Sequence, residues 1–250
     1  MIFLDILRHK LENSSLSSNN VTILGIIPAR GGSKRLPEKN IKLLIDKPLI
    51  AWTIEQTKKS KLLTKTIIST ENEQIAEVAR NYGGIVPFLR PEEFARDNSS
   101  SYELIFHALD FYEERGEKFD LVALFEPTSP LRADTDIDNA ITKFIANYDK
   151  ADSLISIGKI HLENPRYAKR IQDEFIIPYC QEVTDLANDE AYFPYGVIYL
   201  SKVASLRKYK SFYQPKSIYY IIKRWQNYEV DDIYDFHCIE AILKMRGDNK

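Results

Sequence analysis

The sequence predicts an α/β fold: a mixed, mostly parallel sheet covered by helices on both faces. Three short apolar runs predict it, "TILGII" (22–27), "KTIIST" (65–70) and "DLVALF" (120–125). Runs of β-branched and large apolar residues without alternation mark strands buried on both faces. Helical patterns separate them, and alternation of strand with helix builds a parallel sheet. Size agrees, because 250 residues at 44% hydrophobic and 28% charged suffice for one large core.

Taken in order, residues 1–20 read as an appendage. Ile2, Phe3, Ile6 and Leu7 share one face of a short helix, and "NSSLSSNN" reads as a linker. Asp5 interrupts the apolar run, no basic start precedes it and no cleavage site follows, so the segment does not resemble a secretory signal. The main domain is expected over 21–250. "DKPLIAWTIEQTKKSK" predicts a helix with Pro48 in its first turn and Leu49, Trp52, Thr53 and Gln56 around one face. "ENEQIAEVARNYGG" aligns Ile75, Ala79 and Tyr82 and stops at Gly83. "SSYELIFHALDFYEERG" opens with Ser100 three residues before Glu103, the spacing of a capping box, and closes at Gly116. "DTDIDNAITKFIANYDK" carries Ile137, Ile141, Phe144 and Ile145 at helical spacing.

After about residue 152 the pattern turns β-rich and aromatic, with "SLISIGKI", "EFIIPYC", "YGVIYL" and "SIYYIIKR" separated by polar loops. An insertion on the sheet is expected over about 158–195, and "DIYDFHCIEAILKM" predicts a closing helix.

A formal net charge of −2 gives no global field for nucleic acid. No segment has the roughly 18 apolar residues that span a membrane. Cys180 and Cys238 lack metal-ligand spacing and read as inert thiols of a reducing, cytoplasmic compartment.

Against that neutral background, "PARGGSKRLPEKN" (28–40) concentrates Arg30, Lys34, Arg35 and Lys39 around Gly31 and Gly32, just past the first strand. In open α/β sheets ligands bind beyond the carboxyl ends of the strands, and a glycine turn lets backbone N–H groups approach an anion. The P-loop pattern fails, since the sixth position from Gly25 is Arg30, and Gly31-Gly32 cannot supply G-x-G-x-x-G. The loop is therefore of another kind, suited to a triphosphate.

That stretch resembles the first motif of the acylneuraminate cytidylyltransferases. "LRPEEFARDNSSS" (89–101), "FEPTSPLR" (125–132), "PYGVIYL" (194–200) and "YEVDDIYDF" (228–236) are similar to further motifs of the family, in its order. The resemblance spans about residues 21–245. It implies a Rossmann-like nucleotidyltransferase fold whose insertion makes a homodimer. The reaction it implies is transfer of CMP from CTP to the anomeric hydroxyl of a sialic-acid-like 2-keto-3-deoxy sugar acid, with release of pyrophosphate for cell-surface glycan synthesis. By the same resemblance Arg30, Gly31, Gly32, Ser33, Lys39, Asn40, Arg90 and Ser101 are expected at the nucleotide, with Lys39 and Arg30 catalytic. Ser101 has a rival role at a helix start. Glu126, Thr128, Phe193 and Tyr195 are expected at the sugar.

Magnesium is the implied cofactor. On a strand, residues two apart face one way, so Glu229 and Asp231 are expected to present two carboxylates to it, with Asp232 as the fallback. The sequence departs from the family at Glu126, where glutamine is usual, and at Phe193 and Tyr195, where arginine and asparagine are usual. These departures point to a modified or amino-substituted sugar. They also leave open a sugar-1-phosphate nucleotidyltransferase or a non-catalytic CTP sensor of the same fold.

Overall fold

The computed structural model describes residues 21–96, 99–161, 164–179 and 190–247. The proposed appendage 1–20 and Cys180 lie outside the described residues; Cys238 is exposed.

Strands β1 (Ile23–Pro28), β4 (Lys65–Ser69), β5 (Leu121–Leu124), β6 (Ser153–Lys159), β9 (Tyr192–Lys202) and β10 (Ser217–Ile221) form one six-stranded sheet in the order β10-β6-β9-β5-β1-β4. The β1–β4, β1–β5 and β6–β10 pairs are parallel, and β9 alone runs against its neighbours β5 and β6. The three runs singled out in the sequence are thus the adjacent strands β5, β1 and β4.

Helices α1 (Leu49–Lys59), α2 (Glu73–Asn81) and α4 (Asp136–Ile145) cover one face. There Ile23, Ile27, Ile54, Ile68, Ile75, Ile141 and Phe144 share a core. Helices α3 (Ser101–Glu113) and α5 (Val203–Tyr209) cover the other, around Leu24, Ile26, Ile67, Ile105, Leu109 and Leu206. Alternate residues of β1 point to opposite cores, as the two-residue period of a strand requires. The capping box forms at the start of α3, where the Glu103 carboxylate accepts from the Ser100 N–H at 2.9 Å. Gly83 and Gly116 both take positive φ past their helices.

Two smaller pieces complete the fold. A short hairpin of β2 (Leu43–Leu44) and β3 (Lys47–Pro48) leads into α1. A third core of Leu36, Leu44, Leu49, Leu131, Val230, Phe236 and Ile239 packs it against α6 (Ile233–Gly247). Between β6 and β9 the chain forms the hairpin β7 (Lys169–Gln172) and β8 (Phe175–Pro178), where the sequence predicted an insertion.

The loop after β5 is fixed by Arg132, 4% exposed. Its guanidinium donates to Val197 O on β9, to Thr53 Oγ1 (3.0 Å) and Gln56 Oε1 (3.2 Å) on α1, and to the backbone oxygens of Glu126 (2.7 Å) and Gly196 (2.9 Å). All five N–H donors of the fork are thereby used. Burial lowers its pKa to about 10, still cationic at neutral pH. A lysine carries a point charge and three donors, so it cannot reproduce this fork. Arg132→Lys is expected to destabilise the fold by about 2–4 kcal/mol, because buried acceptors lose their partners. Urea unfolding of the two proteins checks this, and an unchanged midpoint would remove Arg132 from the anchoring role.

Candidate active site

The carboxyl ends of β1, β4 and β5 lie side by side, and the loops that leave them enclose a pocket of about 600 Å³. Six cationic side chains line it, Arg30, Lys34, Arg35, Lys39, Arg90 and Arg96, against the carboxylates of Glu126 and Asp231. A nearly neutral protein has gathered six cations at one place, which suits a compact polyanion. Phe94, Ala95 and Leu104 add an apolar wall.

The basic loop is shaped by its own contacts. The Ser33 N–H donates to Gly31 O at 2.9 Å, closing a tight turn. Asn40, 5% exposed, donates to Arg30 O at 2.9 Å and ties the two ends of the loop together. Glu38 takes a left-handed conformation, φ 55°, and turns the chain into a short 3-10 helix that begins at Lys39. The Lys39 ammonium donates to Val230 O at 2.9 Å. Burial lowers its pKa, Asp231 opposes that shift, and Arg35 and Arg30 add to it.

Arg30, Ser33, Lys39, Asn40, Arg90, Ser101, Glu126, Thr128 and Asp231 all reach this pocket. Ser101 is the first residue of α3, and the capping role belongs to Ser100, so its side chain is not spent on the helix start. Gly31 and Gly32 lie outside the lining. The Gly31 N–H, expected to face an anion, instead donates to Glu71 Oε1 at 2.6 Å. Its Cα packs so closely on Asn72 that a Cβ would fall 2.7 Å from Nδ2.

The acidic motif differs from the expectation of a strand. Residues 228–232 are irregular, and the two carboxylates part company. Glu229 accepts from the Gly196 N–H and from Ser129 Oγ (2.7 Å), outside the pocket. Asp231 faces the pocket and pairs with Arg35 at 2.5 Å. Asp232 caps α6, accepting from the N–H groups of Tyr234 (2.8 Å) and Asp235 (3.1 Å). The motif's alternation therefore reflects a helix start and a turn rather than a two-carboxylate face.

A second pocket of about 230 Å³ opens beside the first and shares Ser101, Leu124 and Glu126 with it. Its walls include Tyr102, Tyr199, Phe212 and Tyr213, with Lys210 the one basic group. Tyr199 and Tyr213 both stand in these walls, and burial raises the pKa of both. Phe193 and Tyr195 line neither pocket. Phe193 pairs with Gly158 on β6, is half exposed, and stacks edge-on with Tyr195 at 5.2 Å. The bulge in the β6–β9 pairing between Ile155 and Ile157 shifts the register next to this stretch.

Glu126 is the one carboxylate among the three residues that the pockets share. It packs on Gly196, where a Cβ would meet its side chain at 3.0 Å, so a larger residue there would push Glu126 aside by a few tenths of an ångström. Burial raises its carboxyl pKa to about 7, with repulsion from Glu229 adding to the shift and Thr128 (3.3 Å), Arg132 and Lys39 opposing it.

A family model described as cytidylyltransferase matches residues 24–246. An N-acylneuraminate cytidylyltransferase of Escherichia coli O18:K1:H7 is 33% identical over 231 residues, 91% of this chain but 54% of that protein. The chain thus spans about half the length of that relative. A CMP-N,N'-diacetyllegionaminic acid synthase of Legionella pneumophila is 32% identical over 89% of this chain and 97% of its own. A pseudaminic acid cytidylyltransferase of Campylobacter jejuni is 28% identical over 90% and 98%. Among solved structures, a CMP:2-keto-3-deoxy-manno-octonic acid synthetase complexed with CTP superposes with TM-score 0.68 at 14% identity, covering 90% of this chain and 99% of that one. At that identity the likeness is one of fold.

A pH dependence of stability follows from Glu126. Its carboxyl ionises near 4.5 in an unfolded chain and near 7 in the fold. The ionised form is the one the fold disfavours, so this group costs nothing below the lower value and weighs fully against folding above the higher one. Glu126→Gln removes that titration. The melting temperature of the variant relative to wild type is expected to rise as pH increases from about 5 to about 8. Thermal melts across that interval check it, and a constant difference would contradict it.

Proposed function

The chain belongs to the cytidylyltransferase family, and on that premise we propose that it transfers CMP from CTP to the anomeric hydroxyl of a nonulosonic acid, releasing pyrophosphate. The observation that carries this reading is the pair of contiguous pockets that meet at Glu126. The larger has the charge and volume for a nucleoside triphosphate. The smaller has the aromatic walls and hydroxyls that suit a sugar bearing acyl groups. A hydroxyl bound in the smaller pocket then reaches an α-phosphate in the larger at their common boundary.

In this scheme the cations of the 28–40 loop hold the triphosphate and neutralise the charge that builds on it. Lys39 is the group for the α-phosphate, since it lines the pocket and is held by Val230 O. Arg90 and Ser101 face the cytidine end. Below its raised pKa Glu126 carries a proton and donates a hydrogen bond, as the amide usual at this position in the family does. The departure at 126 is thus smaller near neutral pH than the change of residue type indicates. Above that pH it presents an acceptor, and an amino-substituted sugar gains a partner.

Magnesium fits the donor set in a restricted way. Among the described residues no three Asp, Glu, His or Cys side chains gather to hold a metal. Mg²⁺ needs only one or two carboxylates when phosphates and waters complete its shell. Asp231 supplies one on the pocket wall, and its protein partner Arg35 has a side chain 71% exposed that can move aside. When bound, the ion would neutralise phosphate charge and orient the leaving pyrophosphate.

A homodimer is also proposed. The β7–β8 hairpin stands out from the sheet with Ile171, Phe175 and Ile176 each more than 70% exposed. Apolar surface of this kind on a projecting hairpin favours a protein partner, here a second copy.

Pyrophosphate release from CTP, with N-acetylneuraminic, N,N'-diacetyllegionaminic and pseudaminic acids as acceptors, tests the proposal. Release with none of them, and with sugar 1-phosphates instead, would select the sugar-1-phosphate reading; CTP binding without turnover would select the sensor. Lys39→Ala is expected to lower kcat by about two to three orders of magnitude, the scale for losing one electrostatic contact to a transition state. Near-normal turnover in the folded variant would take Lys39 out of the mechanism. Asp231→Asn is expected to abolish Mg²⁺-dependent turnover with the fold intact, and an unchanged Mg²⁺ titration would leave Asp231 as a partner of Arg35 only.

A further inference from the structure

Glu71 lies two residues past β4, at the head of the α2 stretch, and in none of the family-like motifs. It is nonetheless the residue on which two parts of the nucleotide pocket converge. Its Oε1 accepts the Gly31 N–H at 2.6 Å and its Oε2 accepts from Arg90 Nη2 at 2.7 Å. The ion pair is well removed from water, with side-chain exposures of 2% for Arg90 and 15% for Glu71. Glu71 itself does not line the pocket.

The backbone around this carboxylate is equally constrained. The Arg90 N–H donates to Thr70 O at 2.8 Å, and the Ala29 N–H donates to Ser69 O at 3.0 Å. Asn72 caps α2 by accepting from the Ile75 N–H at 3.0 Å, and Gly31 rests against its side chain. The glycine loop and Arg90 are thus both referred to the same turn, residues 69–72. One carboxylate joins them there.

Arg90 also has a donor left over. Its Nε is buried and has no hydrogen-bond partner among the described residues, although the residue lines the larger pocket. A buried donor without an acceptor is costly, and such groups in native structures call for an explanation. A guanidinium pinned at one corner by Glu71 keeps a fixed place in the wall of the larger pocket.

We propose that Glu71 is a positioning residue of the nucleotide site, clamping the glycine loop to Arg90 so that CTP meets both already in register. It acts through Gly31 and Arg90 and touches no substrate. Pre-organisation of this kind removes an ordering cost from binding, so its loss appears in affinity for the nucleotide. The inference rests on the reading that the larger pocket takes CTP.

The test is CTP binding by calorimetry together with steady-state kinetics, on wild type, Glu71→Gln, Glu71→Asp, Arg90→Gln and the Glu71→Gln/Arg90→Gln double variant. Glu71→Gln loses the charge and offers an amide N–H₂ to one of two donors, so one contact fails. It is expected to raise both Kd and KM for CTP by about tenfold or more while kcat at saturating CTP stays within about threefold, a split that marks binding rather than chemistry. Glu71→Asp keeps the charge, falls one methylene short and should lie between. It also keeps the test open if Glu71→Gln, which leaves a buried guanidinium unpaired, melts below the assay temperature. The double variant should be no more than about twice as weak as the weaker single variant, because the two residues act as one unit.

Glu71→Gln and Glu71→Asp that bind CTP within about twofold of wild type would overturn the clamp, as would effects that multiply in the double variant. Wild-type protein that fails to bind CTP would instead overturn the nucleotide reading of the pocket.

Discussion

A single buried guanidinium holds the reaction centre together. Arg132 spends every donor on α1, β9 and the loop after β5. Burying a charge this completely is expensive unless each hydrogen bond is satisfied. The return is geometric. The backbone oxygens of Glu126, in the loop after β5, and of Gly196, on the antiparallel neighbour β9, are drawn to the same nitrogen, and this sets the floor on which the two pockets meet.

The acid chemistry of the site follows from that floor. Glu126 lies tightly over Gly196, and the Gly196 N–H is taken by Glu229. Two carboxylates thus share a small volume with one fully engaged cation. Glu229 has the better hydrogen bonds, from Gly196 and Ser129, and Glu126 bears the shift toward the neutral form. In the proposed function, a neutral acid at this boundary would tolerate an incoming carboxylate and a triphosphate that an ionised one would repel.

Much of the fold was legible in the sequence because buried parallel strands and amphipathic helices write their environment into residue type. The runs at 22–27, 65–70 and 120–125 became three adjacent strands, and the Ser100–Glu103 box and the stops at Gly83 and Gly116 formed as expected. The basic loop was legible as a cluster of cations at a strand's carboxyl end, and the structure brings those cations to the wall of one pocket. Three features were hidden. Glu229 and Asp231 sit two apart, but the chain there is irregular, so a strand's alternation does not govern their directions. Phe193 and Tyr195 flank and enter a register shift on β9 and line neither pocket, whereas Tyr199, on the same strand, lines the smaller one. Glu71 and Arg132 act by contacts across 40 and 79 residues of chain, to Gly31 and Thr53, which no local pattern records.

The central claim is that nucleotide and sugar meet at Glu126. The most direct measurement is a crystal structure of the Lys39→Ala protein, slowed in turnover, with CTP and an acceptor sugar. The account predicts the triphosphate among Arg30, Ser33 and Asn40, the sugar between Tyr102, Tyr199 and Tyr213, and the anomeric oxygen beside both Glu126 and the α-phosphate. A sugar bound against Phe193 and Tyr195, with Glu126 remote from it, would contradict the account.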